Sequence, residues 1–285
     1  MEARSKNLIE IHIAVLLFGL TGVFGKSIAL PAQYIVLGRV FFASLSMGIF
    51  FLLRGKDIRL SDKKDYFYIL AVGAILAFHW TAFYTSVQLS TVAIALLTFS
   101  AYPIFVTFLE PFFFRERLKS ADVLFALVMF GGVVLIVPEF NIRNNMTIGL
   151  IWGMLGSVSF AVMSLLNRKF ASRYDGSVIA FYEQGMATLV LLPMLLFSRP
   201  AASRTDWLLL ILLGVLFTGV AHSLFIGGMK RVRAQTAGII ASLESVYGII
   251  SAALLLGEIP SLKELVGGAV ILGTALYSTL RSTKE

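Results

Sequence analysis

The sequence predicts an all-α integral membrane protein of ten transmembrane helices, arranged as two inverted five-helix repeats. Three observations carry that expectation. Apolar residues make up 58% of the 285 residues and charged residues only 14%, whereas ordinary soluble domains carry about 25% charged residues. The charges gather in short clusters, and the stretches between them are long enough to cross a bilayer core, which takes about 20 apolar residues in a helix. The two halves of the chain match one another at a nearly constant offset. A β-barrel is excluded, because its segments would be short and alternating.

The ten spans run over about 9–28, 33–53, 66–86, 91–114, 121–138, 148–168, 178–198, 206–228, 235–256 and 262–280. MEARSKNLIE is a charged lead into span 1, and no small-residue cleavage site follows, so that span is read as retained. Between spans 2 and 3 lies the longest loop, RGKDIRLSDKKD (54–65). Span 4 contains Pro103, which removes an amide and permits a bend. Gly131 and Gly132 in span 5, and Gly267, Gly268 and Gly273 in span 10, permit close packing. Those two spans lack internal charge, and are read as scaffold or as a dimer face. EFNIRNNMT (139–147) is the midpoint break, giving repeats over 1–145 and 146–285. Span 9 lies in a 21-residue run, Ala237–Gly257, whose only charge is Glu244. Ser261 and Glu264 form a capping-box pattern at the start of span 10.

With the N-terminus inside, 18 of the 24 Lys and Arg fall in inner segments and 5 in outer ones (Lys26, Arg143, Arg199, Arg204 and Lys263), while Arg39 lies within span 2. Basic residues favour the cytoplasmic side, so both termini are expected in the cytoplasm of a multi-pass inner (plasma) membrane protein. The net charge of +8 is accounted for by these loops and does not point to nucleic acid.

At an offset of 142, Lys26 meets Arg168, Ala95 meets Ala237, Ser100 meets Ser242, Glu116 meets Glu258 and Gly131 meets Gly273. At 141, Asp65 meets Asp206 and Gly73 meets Gly214. Five is odd, so the second repeat must enter the membrane upside down. Inverted repeats around a midplane site recur among secondary transporters.

Span 4, STVAIALLTFSAYPIFVTFLEPFFFRERL, its counterpart IIASLESVYGIISAALLLGEIPS and the GRVFFA of span 2 resemble the EamA-type members of the drug/metabolite transporter superfamily. The resemblance covers essentially the whole chain. It implies a proton- or gradient-linked carrier of small metabolites, often an exporter of amino acids or related amines. Ser245 stands where many such proteins carry proline.

Ionisable side chains inside a bilayer cost about 2.5–3.5 kcal/mol on insertion scales, so each requires an account. Glu244 is about eight residues into span 9, near the midplane, on a face shared with Ala237, Ala241, Tyr247, Gly248 and Ser251. That stripe is small or polar, as a cavity wall would be. The acid reads as a cation or proton acceptor, against the alternative of a protonated glutamate bonded between helices. Arg39 can hold a substrate carboxylate, but reads first as an anchor tied to backbone carbonyls near the outer surface. His79 and His222 can relay protons in the physiological range, or simply be hydrogen-bonded. Trp80 reads as packing or cavity wall. Tyr102 occupies the position equivalent to Glu244 and, with Thr98, is a candidate substrate contact. Glu183, five residues from the inner end of span 7, is a candidate proton-coupling group, or snorkels to the surface. Lys26 reads as snorkelling, and Glu116 and Glu258 as loop anchors.

No HEXXH, GXSXG, Walker loop or Cys/His metal spacing is present, and there is no cysteine. The expectation is a secondary transporter and not an enzyme, with no cofactor and no metal. Its partners would be a small-molecule substrate (an amino acid, amine or other metabolite) and the lipid bilayer, in a monomer or homodimer. The competing readings are an uncoupled channel or facilitator, and a lipid-handling flippase or membrane enzyme.

Overall fold

The computed structural model describes residues 2–114, 118, 120–137, 141–170, 173–228, 240–241 and 243–282. Every regular element among the described residues is helical. Helix α1 is Glu2–Lys26, α2 is Ala32–Arg54 and α3 is Lys63–Leu89. Span 4 is represented by α4 (Val92–Phe99) and α5 (Tyr102–Phe114), span 5 by α6 (Ser120–Ile136) and span 6 by α7 (Asn145–Phe170). Span 7 comprises α8 (Gly176–Leu191) and α9 (Met194–Phe197). Span 8 comprises α10 (Arg204–Gly214), a π-helical segment (Val215–Val220) and α11 (Ala221–Gly228). Spans 9 and 10 are represented by α12 (Leu243–Leu256) and α13 (Leu262–Ser282). Seven helical stretches, among them Val92–Phe114 and Arg204–Phe225, are long and apolar enough to cross a membrane, and Ser120–Ile136 and Leu243–Leu256 are shorter apolar helices. The chain is a multi-pass membrane protein. Ala237, Ser242 and Glu116, which carry part of the repeat register, lie outside the described residues.

The helix ends follow from local chemistry. Gly55, at φ +59°, ends α2: its amide reaches the Leu52 carbonyl at 3.2 Å, and that of Lys56 reaches Phe51 at 3.0 Å. Asp62 caps α3 by accepting from Lys64 N–H at 2.9 Å, and Thr91 caps α4 by accepting from Ile94 N–H at 3.1 Å. Asp175 accepts from Ser177 N–H at 2.8 Å at the start of α8 and pairs with Lys56 at 3.2 Å. The Ser177 hydroxyl, more than any other neighbour, holds the Asp175 carboxyl below its ordinary range. The capping box of span 10 is present, with Ser261 N–H on Glu264 at 2.7 Å and Glu264 N–H on Ser261 Oγ at 3.3 Å.

Spans 7 and 8 are not the continuous α-helices the sequence suggested, and span 4, where Pro103 predicts a bend, is broken outright. Pro103 has no amide for the Phe99 carbonyl, so the helix breaks one turn upstream, at Ser100 and Ala101. Ser157 on α7 repairs the loss: its hydroxyl donates to the carbonyl of Phe99 at 3.0 Å and also to that of Thr98. Pro193 interrupts span 7 in the same way. In span 8 the Thr218 hydroxyl donates back five residues to the Leu213 carbonyl at 2.8 Å, within the wide π turn.

In the bundle, α3 packs on α7 and α8, and α2 on α8 and α10. Helix α1 lies against α11 and α12, α7 against α4 and α5, and α6 against α13. Close crossings use glycine. A Cβ added at Gly132 would lie 3.1 Å from the Gly267 carbonyl oxygen, and one at Gly248 would lie 2.8 Å from that of Gly19. Gly131 and Gly273 correct the sequence reading: neither has a neighbour within 4 Å of an added Cβ, because both face away from the helix pair.

Candidate functional site

Arg39 is the largest fully buried side chain, 1% exposed in the middle of the bundle. It is not tied to backbone carbonyls, as the sequence suggested. Its Nε donates to Thr218 Oγ1 at 2.8 Å and its Nη1 to the Tyr84 hydroxyl at 2.9 Å. The guanidinium lies over the Trp80 ring, 3.6 Å from its centroid, an arrangement favourable in a desolvated site. No carboxylate among the described residues pairs with it. The π turn belongs to this site, because it carries Thr218, and the His222 ring nitrogen Nδ1 donates to the Thr218 carbonyl at 2.9 Å.

Beside this cluster stands an aromatic wall. His79 donates from Nδ1 to the Gly156 carbonyl at 2.9 Å. Its ring lies 5.0 Å from Trp80, 5.4 Å from Phe99 and 5.2 Å from Phe160. Phe99 and Phe160 also meet Tyr102, at 6.0 and 4.9 Å. Beyond the wall lies a cavity of about 270 Å³ bounded by Tyr102, Phe99, Phe160, Glu244 and Ser245, with Asp122 and Ser278 at its far end. Glu244 is half-buried, and its carboxylate forms no hydrogen bond or ion pair among the described residues. Ser245, on the next position, hydrogen-bonds Ser100 Oγ at 2.7 Å and so ties α12 to the break in span 4.

The predicted residues therefore divide. Glu244 and Tyr102 share the cavity; Trp80 and His222, both half-buried, stand by the buried Arg39; His79 stands between. Thr98 lies outside the cavity wall, its hydroxyl donating to the Ile94 carbonyl at 2.7 Å. Tyr247 is likewise absent from the wall and meets His12 Nδ1 at 3.3 Å. Glu183 does not snorkel: it is 7% exposed, beside Asn167, with Oε1 unpartnered. Lys26 does not snorkel either. It pairs with Glu258 and donates to the Ser90 carbonyl at 2.6 Å, while Glu258 accepts from Val92 N–H at 2.8 Å. At the opposite ends of spans 4 and 6, Arg168 pairs with Glu110.

Sequence reasoning missed Tyr84, Thr218, Phe99, Phe160 and His12. The histidine was visible in principle as the third in the chain. Phe160 was visible as the partner of Phe18 at an offset of 142.

Comparison with known proteins agrees with this architecture. The model of the EamA-like transporter family matches twice in succession, over residues 7–137 and 147–280. The "uncharacterized transporter YxxF" of Bacillus subtilis (strain 168) is 27% identical over 99% of this chain and 93% of its own length. The pseudopaline exporter CntI of Pseudomonas aeruginosa is 27% identical over 86% of this chain and 85% of its own. The S-adenosylmethionine uptake transporter of Rickettsia conorii is 25% identical over 84% and 80%. One solved crystal structure superposes with a TM-score of 0.68 at 22% identity, covering 98% of each chain; that likeness concerns the fold alone. Two family matches that together span almost the whole chain place it: this protein is a member of the EamA-like transporter family, and it is a transporter, not an enzyme.

Proposed function

We propose that the ten spans form two inverted repeats, residues 1–145 and 146–285, and that the protein is a secondary transporter exporting small metabolites such as amino acids or amines across the inner membrane. It works by alternating access, driven by the proton gradient through Glu244, with both termini in the cytoplasm. Helix packing supports the repeat. Span 3 packs on spans 6 and 7, as span 8 does on spans 1 and 2, and span 1 meets span 9 as span 6 meets span 4. Side chains follow the same exchange. The ring of Phe160 sits 5.2 Å from His79, and that of Phe18 sits 4.9 Å from His222. Gly73 abuts Met186 and Ala187 of span 7, and Gly214 abuts Phe42 and Ala43 of span 2. The double family match agrees.

The observation that carries the transport reading is Glu244: an acid without a partner among the described residues, facing Tyr102, its counterpart from the other repeat, across a cavity. Asp122 and Ser278, at the inner ends of spans 5 and 10, open that cavity toward the cytoplasmic half. The outer ends of spans 1, 4 and 9 are tied together by Lys26 and Glu258, so this state is closed on the outside. The named relatives include both an exporter and an uptake carrier, which supports a small-molecule cargo. A thermal-shift screen against amino acids, amines and nucleobases supplies a probe substrate, because a ligand bound only to the native form raises Tm. In proteoliposomes, Glu244→Gln is expected to abolish the response of flux to a proton gradient. Wild-type coupling in that variant would overturn the role given to Glu244.

A further inference from the structure

A second cavity, a groove of about 410 Å³, runs between α2, the α8–α10 connection and α10, away from the site just described. Leu37, Phe41, Leu192, Leu195 and Leu210 form its walls. Phe41 and Leu192 are 44% and 47% exposed, so the groove opens sideways along the apolar flank of the bundle. The α2 residues that line it, from Tyr34 to Phe42, rise about 12 Å, close to the roughly 15 Å of one hydrocarbon leaflet.

One end of this groove is different in kind. Arg199 lines it there together with Trp207, and Arg204 lies one helical turn before Trp207 on α10. The Arg199 Nε donates to the Leu195 carbonyl at 2.9 Å, which folds the side chain back toward the groove. Neither arginine forms an ion pair among the described residues. The acid nearest in sequence, Asp206, is fully engaged: it accepts from Ala29 N–H at 3.0 Å and from Ser203 N–H and Oγ at 2.9 and 2.7 Å. Trp207, 52% exposed, has the amphipathic character of residues at a membrane–water interface.

We propose that this groove is a binding site for one phospholipid with an anionic headgroup. An acyl chain lies between α2 and α10, Trp207 sits at the level of the glycerol backbone, and the phosphate meets Arg199 and Arg204. The apolar walls alone would accept any acyl chain. The two uncompensated cations at the mouth select the headgroup, because a zwitterionic lipid brings its own cation beside them. The site is independent of the transport reading.

The test is native mass spectrometry of the detergent-purified protein with equal amounts of phosphatidylglycerol and phosphatidylcholine carrying the same acyl chains. The wild type is expected to retain phosphatidylglycerol in an excess of about 25-fold, since each of the two arginines favours an anionic surface by about fivefold. The double variant Arg199→Gln/Arg204→Gln replaces two exposed side chains and is expected to bring the ratio to about one. Leu192→Trp, which fills the groove, is expected to expel the retained lipid. Equal retention by the wild type would overturn the proposal, as would a preference that survives either variant. Melting curves of both variants confirm that the fold is retained.

Discussion

The helix pairs α6–α13 and α4–α12 are built on opposite principles. Helices α6 and α13 are unbroken and meet backbone to backbone, where Gly132 and Gly267 lie opposite each other. Around the two glycines the contact is apolar, made by Ile136, Val270 and Ile271. Helices α4 and α12 meet through the Ser100–Ser245 hydrogen bond, at the place where span 4 is interrupted, with Glu244 beside it. The first pair gains stability from dispersion contacts that require close approach. The second places hydroxyls and freed carbonyls around a cavity, an arrangement a bilayer tolerates only where protein or water satisfies them. The first pair is a fixed joint where its glycines meet, and the cavity lies between the two pairs, lined by Asp122 and Met129 of α6 and by Leu272 and Ser278 of α13 as well as by Ser100, Glu244 and Ser245.

Three substitutions sharpen this contrast. Gly267→Leu breaks the fixed joint: its Cβ would lie 2.7 Å from the Gly132 carbonyl oxygen, backbone that cannot step aside. Overpacking of this kind costs about 3 kcal/mol, and thermal unfolding in detergent should show a Tm lowered by many degrees. Ser245→Ala acts on the other pair. It leaves Ser100 without its 2.7 Å partner and should cost about 1–2 kcal/mol, read as a smaller fall in Tm. The smallest effect belongs to Gly131→Ala, on the outward face of α6 with nothing within 4 Å. Relief of the glycine helix penalty should stabilise it by at most about 1 kcal/mol. A large loss of stability there would mean that the outward face of α6 is covered.

The same contrast explains what the sequence could and could not reveal. Charge clusters and apolar run lengths located the helices, because both reflect the thickness of the bilayer. Glu244 and Tyr102 were legible as an acid and an aromatic at matching positions of two similar phrases. The neighbours of Arg39 were not: Tyr84 and Thr218 come from spans 3 and 8, and nothing local to GRVFFA points to them. Which of two adjacent glycines faces a partner was also hidden. In water an apolar stripe marks the buried face, but lipid tails are as apolar as a protein interior, so Gly131 and Gly132 look alike until the helix rotation is known. The break in span 4 was half legible. Pro103 announced it, but the repair by Ser157 comes from a helix 54 residues further on.

The π segment bears on the proposed inverted repeat, whose halves are unequal in length. Gly73 and Gly214 correspond at an offset of 141, whereas His79 and His222 correspond at 143. Span 8 therefore holds extra residues between those landmarks, and the loosened turn at Val215–Val220 lies in that interval. A surplus that would otherwise twist the rest of the rod out of phase is taken up as local slack. In the two-repeat arrangement proposed above, such local slack would let the copies differ in length without losing register.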